Sequence, residues 1–448
     1  MLRQLAISLL AVALALPGLA RTRPHYGGTL RVEIEGDPWA HPDGMARRLV
    51  LDGLTVLDNS GAVRPALATQ WESDGGNHRW QFHLRAGVHF HDGSPLTSVA
   101  VVASLNAACK SSCPWTAIHA VGTSVVFTSD SSMPNLPTLL ADDEFLLALT
   151  IAADGTTPKG DTGTGPFAVT GFKNGTLTLT ANDSCWQGRP FADSIEIRVH
   201  RPIHDQWLDL GMGRAEVVDV PVEQIRQAQQ QRLTLAISPP VTLLALQLAN
   251  NGALANPMLR AAIGLAVDRT ALSNVIFQKQ GEITAALLPQ LLTGYAFLFP
   301  SERDLEKADQ LRGGLPTPPL SLSVSGGAAM QLTAQRIALD LHEAGFAVQV
   351  SSFSTAQSQL ALVKIPMQGS DPAAILEQML RALGQSEPVT ARLPEALYKT
   401  ERDFLDRHTA IPLLDLPRAY ATGPRVRDFH LRADGTPDLA STSLEGVQ

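Results

Sequence analysis

Apolar and polar residues alternate most clearly around Trp80. Trp80, Phe82 and Leu84 are separated by polar residues, and this two-residue period is typical of a half-buried β-strand. Residues 74–77 precede the strand and contain two glycines, which predicts a tight turn. Further on, Thr97 stands before an apolar stretch and is predicted to cap a helix. The pattern therefore predicts a strand, a turn, a second strand and a helix, a combination found in many folds.

A second pattern predicts a βαβ unit. Apolar residues alternate over residues 320–324 and again over 346–350. Between them, residues 330–344 have helical spacing and end at Gly345. Two strands joined by such a helix are expected to run parallel, with a right-handed crossover.

Helix starts are also readable between these two regions. Asn256 is a good N-cap and Pro257 suits the first helical position. Asp268 is predicted to cap a second helix directly afterwards.

Composition limits the class of protein. The chain has 448 residues, of which 44% are hydrophobic and 17% charged, and its formal net charge is −8. These values predict a globular protein of two or three domains and argue against a disordered chain or a membrane bundle. The negative charge predicts that nucleic acid is not a partner.

The N-terminus reads as a secretory signal peptide over residues 1–20. Arg3 gives a positive start, residues 5–16 are apolar apart from one serine, and Ala20 offers a cleavage site. The apolar run is too short to span a bilayer. The mature protein is therefore predicted to be periplasmic.

Three cysteines leave the redox chemistry open. Cys109 and Cys113 could form a small local disulfide in an oxidising compartment, which would leave Cys185 unpaired. A metal site would need more soft ligands than these residues have nearby.

No motif of enzyme chemistry occurs, so the chain is predicted not to be an enzyme and to need no cofactor. A nucleophile elbow, a Walker loop, a dinucleotide fingerprint and a zinc-protease helix are all missing from the sequence. His83, His89 and His91 share strand parity, while His200 and His204 have helical spacing. Both sets suit a transition metal, but a solvated polar face is the simpler interpretation, and no metal site is predicted.

The order of residues carries more information than their pattern. The informative segments are Pro65-Ala66-Leu67-Ala68, Trp71-Glu72, Trp80-x-Phe82-x-Leu84-Arg85, Gly87-Val88-x-Phe90-His91-Asp92-Gly93, Gly163-Thr164-Gly165-Pro166-Phe167 and Ala266-Val267-Asp268-Arg269. Together they resemble the family 5 extracellular solute-binding proteins of peptide and nickel ABC importers.

This resemblance implies an α/β fold, namely a two-lobed periplasmic binding protein (class II-like, type C cluster) with an extra subdomain in the first lobe. The implied division after the signal peptide is 21–45 for the first lobe, 46–163 for its small subdomain and 164–240 for its second part. Residues 241–395 would form the second lobe, and 396–448 would return to the first.

The resemblance also implies where a ligand would bind. The loop after the first strand contains Asp37, Trp39 and His41 and is expected to face the cleft. Asn250 matches an asparagine that follows a family strand, and Asp371 matches a cleft-facing Asp-Pro whose carboxylate can pair with a ligand ammonium. A helix cap is an equally good interpretation of Asp371, with Pro372 at the first helical position.

The implied function is that of a monomeric extracytoplasmic component of an ABC importer. It would capture a small solute between its lobes and deliver it to a membrane permease, with short peptides as the leading class. Nickel complexes or another small solute remain open as ligands. A scaffold or chaperone that kept the fold without transport is the alternative from another functional class.

Overall fold

The computed structural model describes residues 25–39, 45–58, 61–108, 113, 115–148, 162–315, 317–352, 358–367, 371–385, 389–432 and 434–445. The signal peptide predicted for residues 1–20 lies outside them. The strands are β1 Thr29–Glu33, β2 Thr55–Leu57, β3 Val63–Pro65, β4 Ala68–Ser73, β5 Arg79–Leu84, β6 Ala117–Val121, β7 Ser124–Thr128, β8 Phe167–Lys173, β9 Thr176–Ala181, β10 Ser194–Arg198, β11 Val217–Asp219, β12 Thr234–Ile237, β13 Thr242–Leu248, β14 Glu282–Ile283, β15 Leu320–Val324, β16 Val348–Ser351, β17 Leu360–Pro366, β18 Ala410–Leu416, β19 Ala419–Thr422, β20 Val426–Arg427 and β21 Ser443–Leu444.

Helices cover both sheets and the small subdomain. The α-helices are α1 Arg47–Val50, α2 Ser98–Ala108, α3 Leu136–Leu139, α4 Ile203–Gly211, α5 Ile225–Gln230, α6 Pro257–Ala266, α7 Arg269–Ala271, α8 Gln290–Thr293, α9 Leu305–Arg312, α10 Ala328–Glu343, α11 Pro372–Ala382 and α12 Pro394–Leu405. None of the helices in the described residues is long and apolar enough to cross a membrane.

The first lobe is built on a seven-stranded sheet of order β12-β19-β11-β1-β10-β9-β8. In it, β1 runs parallel to both β10 and β11. Leu30, Val32, Ile195 and Ile197 are fully buried in its core. The carboxyl ends of these three parallel strands therefore meet at one edge of the sheet.

The second lobe is built on a six-stranded sheet of order β14-β18-β13-β17-β15-β16. The predicted βαβ unit is confirmed, since β15 and β16 are parallel and α10 connects them. The caps predicted at Asn256 and Asp268 are confirmed too, because their side chains accept from the N–H groups of Met258 and Ala271 at 2.9 Å. Apolar cores cover both faces of this sheet.

The small subdomain contains the sheet β4-β5-β7-β6. Trp80 and Phe82 are buried, as their alternation predicted, whereas Leu84 is half-buried. Thr97 caps α2, since its hydroxyl accepts from the Ala100 N–H at 3.2 Å. Cys113 is disulfide-bonded and Cys185 is free and buried, while Cys109 lies outside the described residues.

Two short segments connect the sheets of the two lobes. One is residues 238–241, between β12 and β13, and the other is residues 417–418, between β18 and β19. The predicted return to the first lobe at residue 396 is therefore wrong in position. Since β18 pairs with β13 inside the second-lobe sheet, the chain stays in that lobe until Leu416. The other predicted boundaries remain predictions.

Candidate functional site

The edges of the two sheets that carry the carboxyl ends of their parallel strands face each other. The loop after β1 lies on one side, and the loop after β15 lies on the other. A Cβ atom on Gly327 would lie 4.0 Å from the Glu35 Oε2 atom, so the loops nearly touch. Ligands of open α/β sheets characteristically bind beyond the carboxyl ends of parallel strands. This gap between the lobes is therefore the candidate site, and we call it the cleft.

The second-lobe side of the cleft is the start of α10. Gly326 has φ of +115°, a conformation that favours glycine, and Gly327 is the N-cap. Gly327 has no side chain with which to cap this helix. The Glu35 carboxylate lies near the helix start and complements its positive end.

A buried charge network supports the first-lobe side. Glu33, at the end of β1, is fully buried and accepts a hydrogen bond from Arg198 at 2.7 Å. Asp209 accepts from Arg201 at 3.0 Å and from Arg214 at 2.7 Å. These contacts fix the strand ends from which the cleft loops start.

The pKa values of the two carboxyl groups in this network, Glu33 and Asp209, are shifted in opposite directions. Burial raises the pKa of Glu33, and the neighbouring Asp209 carboxyl raises it further. Burial opposes ionisation of Asp209 as well, yet hydrogen bonds from Arg214, Glu33 and Arg201 hold the pKa of Asp209 below its ordinary value. When this pair takes up a proton, Glu33 therefore binds it before Asp209 does, and Asp209 remains the anion that holds the arginines.

The hinge between the lobes is hydrogen-bonded across its two segments. The Ser238 N–H donates to the Arg418 carbonyl at 2.9 Å, and the Arg418 N–H donates to Ser238 Oγ at the same distance. A Cβ on Gly435 would lie 2.8 Å from Val241, so the C-terminal segment packs directly on the hinge. Residues of this kind, which join two rigid sheets, can absorb the rotation of a closing domain.

The loop after β1 contains three predicted ligand residues. Asp37 is exposed and its Oδ1 accepts from the Trp39 N–H at 2.9 Å. Trp39 is half-buried and packs against the first-lobe core. Asp37 and Trp39 therefore lie in the loop that also presents Glu35, while His41 lies outside the described residues.

Asn250 does not lie at the cleft. It follows the end of β13 that points away from the hinge, because Thr242 begins this strand next to the hinge. A seven-residue strand separates the two ends by roughly 20 Å. The Asn250 Oδ1 atom instead accepts from the buried Arg260 at 3.1 Å. The prediction that Asn250 is a ligand-binding residue was wrong, because the sequence motif does not show in which direction the strand runs relative to the cleft.

Asp371 caps α11. Its Oδ1 accepts from the Ala373 N–H at 3.2 Å, and Pro372 occupies the first helical position. It follows β17, which ends beside the hinge, since the Met367 N–H donates to the Val241 carbonyl at 2.7 Å. Asp371 is therefore on the cleft side of the second lobe, although no described hydrogen bond joins it to the loop after β1.

The three histidines that share strand parity, His83, His89 and His91, each have a local partner. His83 Nδ1 lies 3.0 Å from Ser124 Oγ, His91 Nε2 lies 3.0 Å from the Gly165 carbonyl, and His89 bonds its own turn. Within the described part of the chain, no group of three or more His, Cys, Asp or Glu side chains could hold a metal ion.

A cavity of about 340 Å³ lies between the small subdomain and the second lobe. Trp115, Met133 and Asn135 line it on one side, and Glu377 and Arg381 of α11 line it on the other. The sequence analysis missed Glu377 and Asn135, which are far apart in the chain and carry no shared motif. It also missed Glu35, although the position of Glu35 just after β1 was an available signal.

Comparison with known proteins decides the family. The model of the bacterial extracellular solute-binding proteins, family 5 Middle, matches residues 62–382, well over half of the chain. The chain belongs to this family. The resemblance inferred from sequence motifs is therefore confirmed, and family 5 proteins are solute-binding components of ABC importers.

Two curated relatives of this family 5 protein are named for dipeptides or tripeptides. A probable di/tripeptide-binding protein 5 of Pseudomonas aeruginosa is 24% identical over 402 residues, covering 76% of either chain. The probable D,D-dipeptide-binding periplasmic protein DdpA of Escherichia coli is 26% identical over 284 residues, which cover 59% of this chain and 55% of DdpA.

Solved structures confirm the predicted two-lobed fold. The DppA protein of Helicobacter pylori, in complex with the peptide STSA, has a TM-score of 0.81 at 19% identity, covering 94% of this chain and 99% of DppA. NikA of Staphylococcus aureus, in complex with Ni(L-His)2, has a TM-score of 0.77 at 17% identity, with 93% and 100% covered. At these identities the likeness shows the fold alone.

Proposed function

We propose that this family 5 protein captures short peptides in the cleft and delivers them to a membrane ABC permease. The observation that carries the proposal is the pair of facing loops, after β1 and β15, on two sheets joined by a hydrogen-bonded hinge. A ligand that touches both loops stabilises the closed arrangement by its differential affinity. The peptide-binding names of the relatives support the substrate class.

The chemistry of the cleft suits the amino terminus of a peptide. Glu35 and Asp371 supply carboxylates on opposite lobes, and Asp37 lies two residues from Glu35. An ammonium group between such carboxylates gains charge-assisted hydrogen bonds in a site that closes away from water. Trp39 offers an apolar surface beside them. A monomer needs no second chain for this arrangement, and we propose that the protein acts as one.

We also propose export. Arg3, the apolar residues 5–16 and Ala20 support a cleaved signal peptide and a periplasmic location. Binding and release of solute without covalent chemistry require neither a cofactor nor a catalytic residue, and the negative net charge disfavours nucleic acid as a partner.

A ligand screen tests the proposal. Mature protein is unfolded to remove co-purified ligand, refolded, and melted with dipeptides and tripeptides, nickel–histidine complexes or sugars. We expect short peptides to stabilise it, by about 2.7 kcal/mol at 100 times the dissociation constant. Stabilisation by nickel complexes alone would reject the peptide class. If the whole panel leaves the melt unchanged, the transport function is rejected in favour of a scaffold or chaperone.

Two variants locate the ammonium site. Asp371→Asn preserves a helix cap, so its apo stability should hardly change while the affinity for free peptides falls. Asp304→Asn is the matched control, because Asp304 caps α9 in the same way by accepting from the Lys307 N–H at 2.9 Å. N-acetylated peptides should not distinguish Asp371→Asn from the wild type. If Asp371→Asn binds free peptides normally and Glu35→Gln does not, the ammonium lies at the loop after β1.

A further inference from the structure

Asn135 occupies a helix N-cap without acting as a cap. It directly precedes α3, yet its side chain accepts no hydrogen bond from that helix. An N-cap asparagine normally accepts from the second or third N–H of its helix. Here the second helical residue is Pro137, which has no N–H to donate. The amide of Asn135 is thus released for another use, although the residue is only 8% exposed.

That amide bonds to the second lobe through both of its polar atoms. Asn135 Nδ2 donates to Glu377 Oε2 at 2.9 Å, and Arg392 Nη2 donates to Asn135 Oδ1 at 2.8 Å. A carboxylate only accepts and a guanidinium only donates, so the orientation of the amide is determined by its partners. Both bonds involve a charged group, which makes them stronger than bonds between neutral partners.

The second lobe holds its half of this contact in place. Arg392 Nη1 donates to the carbonyls of Val389 and Ala391 at 3.0 and 2.9 Å. Glu377 Oε2 also accepts from the Val389 N–H at 3.4 Å, and Arg381 lies 3.9 Å from Glu377. The acceptor and the donor for Asn135 are therefore ordered within one lobe before the other lobe reaches them.

We propose that Asn135, Glu377 and Arg392 form a latch that holds the small subdomain against the second lobe and favours the closed arrangement whether or not a ligand is bound. The latch lies outside the two hinge segments, so it is a separate, noncovalent connection between the lobes. Rotation of the lobes at the hinge must break both hydrogen bonds of Asn135. The proposal rests on capture between two lobes, and it assigns Asn135 as a positioning residue that sets how readily they separate.

The latch also borders the cavity between the small subdomain and the second lobe. Asn135 and Glu377 both line that space, together with Trp115 and Arg381. Any group that occupied this cavity would contact Asn135 and Glu377 directly, so its binding would be coupled to closure of the lobes.

The decisive experiment measures the distance between the lobes without ligand. Dyes are attached to Val121→Cys and Leu339→Cys in a Cys185→Ser background, since Val121 and Leu339 are at least half exposed and lie on different lobes. Energy transfer between the dyes should report a longer distance when Asn135→Ala is added than in the labelled protein that keeps Asn135. Asn106→Ala, which changes an exposed asparagine of α2 in the same subdomain, should leave the distance unchanged. An unchanged distance in Asn135→Ala overturns the latch.

A pair of compensating substitutions distinguishes a latch between the lobes from a residue that only supports the fold. Asn135→Asp places a carboxylate against Glu377 and should open the lobes further than alanine. Adding Glu377→Gln restores a donor for that carboxylate, and the distance should return towards the original. Lack of rescue overturns the proposal. If Asn135→Ala does not fold, Arg392→Ala serves instead, since Arg392 is exposed; it should also lengthen the distance, and no change would overturn the latch.

Ligand affinity gives an independent readout. With a peptide found by the screen, Asn135→Ala should weaken binding about tenfold, the equivalent of about 1.4 kcal/mol. Because the distance is measured without ligand, the two proposals can fail separately. A panel without any hit, together with a lengthened distance, rejects peptide transport and retains the latch.

Discussion

The small subdomain and the second lobe bury very different cores. Aromatic rings fill the small subdomain, where Trp115 and Phe127 have centroids 5.1 Å apart and Phe82 and Phe127 lie 5.4 Å apart. The second lobe instead buries three acids, Glu401 and Asp340 with no exposed surface and Asp415 with 2% exposed. The core of the small subdomain is stabilised by the burial of apolar side chains, which do not titrate. The other contains carboxyl groups whose protonation changes its stability.

Glu401 connects α12 to the loop after β14. It accepts hydrogen bonds from the N–H groups of Leu287 and Leu288 and from the Tyr295 hydroxyl. Burial nevertheless raises the pKa of Glu401 to about 7. Asp415 is less well supported, because its Oδ1 has no hydrogen-bond partner among the described residues, and burial raises the pKa of Asp415 well above its ordinary value. The second lobe thus has an energetic cost that the aromatic core of the small subdomain avoids.

Emptying the aromatic core should have the largest effect. Trp80→Ala removes a ring stacked on Phe82 at 6.2 Å and a hydrogen bond from Nε1 to the Met133 carbonyl at 3.0 Å. We expect a loss of roughly 3–5 kcal/mol in the free energy of unfolding from denaturant melts. Trp71→Ala is the control and should cost less, because Trp71 is only half-buried. A loss below about 1 kcal/mol for Trp80→Ala would contradict the description of this core.

The acid-containing core should respond to pH. Glu401 has a folded pKa of about 7 against an ordinary value of 4.5, so the folded protein binds more protons than the unfolded chain between these values. Stability should therefore fall as pH rises from 4.5 to 7, by roughly 3 kcal/mol from this group alone. Glu401→Gln should remove that part of the slope in melts across the range. Parallel stability curves for wild type and variant would disprove the assignment.

The smallest effect should come from the hydroxyl beside Glu401. Tyr295→Phe keeps the ring and removes one donor to the carboxylate, which should cost about 1–2 kcal/mol at pH 8. The cost should shrink near pH 4.5, where Glu401 is protonated. Tyr398→Phe, on the neighbouring ring at 5.4 Å, is the control for altered aromatic packing. Equal effects of both variants at both pH values would show that the hydroxyl has no special role.

Local patterns predicted the parts of this molecule that depend on near neighbours in the chain. The alternation at Trp80, the caps at Thr97 and Asn256 and the parallel pair around α10 are all present. In each case the residue type and its partner lie within a few residues or within one connected unit, so propensity and periodicity suffice.

Features built from distant parts of the chain were not predictable in this way. Asn250 follows a strand as expected, but only the pairing of that strand shows that it points away from the cleft. Asn135 reads locally as an ordinary cap, and nothing in its neighbours indicates Glu377 or Arg392. Glu401 lies on α12, and only its contacts with distant residues such as Tyr295 show that it is buried. The fold could thus be identified from motifs, whereas the site required the tertiary structure.

The position of β19 determines the order in which the protein can fold. This strand lies inside the first-lobe sheet, between β11 and β12, although it comes from the last part of the chain. During synthesis β12 has no neighbour in the sheet until residue 422 has emerged, whereas the second-lobe sheet is complete at residue 416. The later lobe in the sequence can therefore mature first, and the earlier one waits for a contact of very long sequence separation.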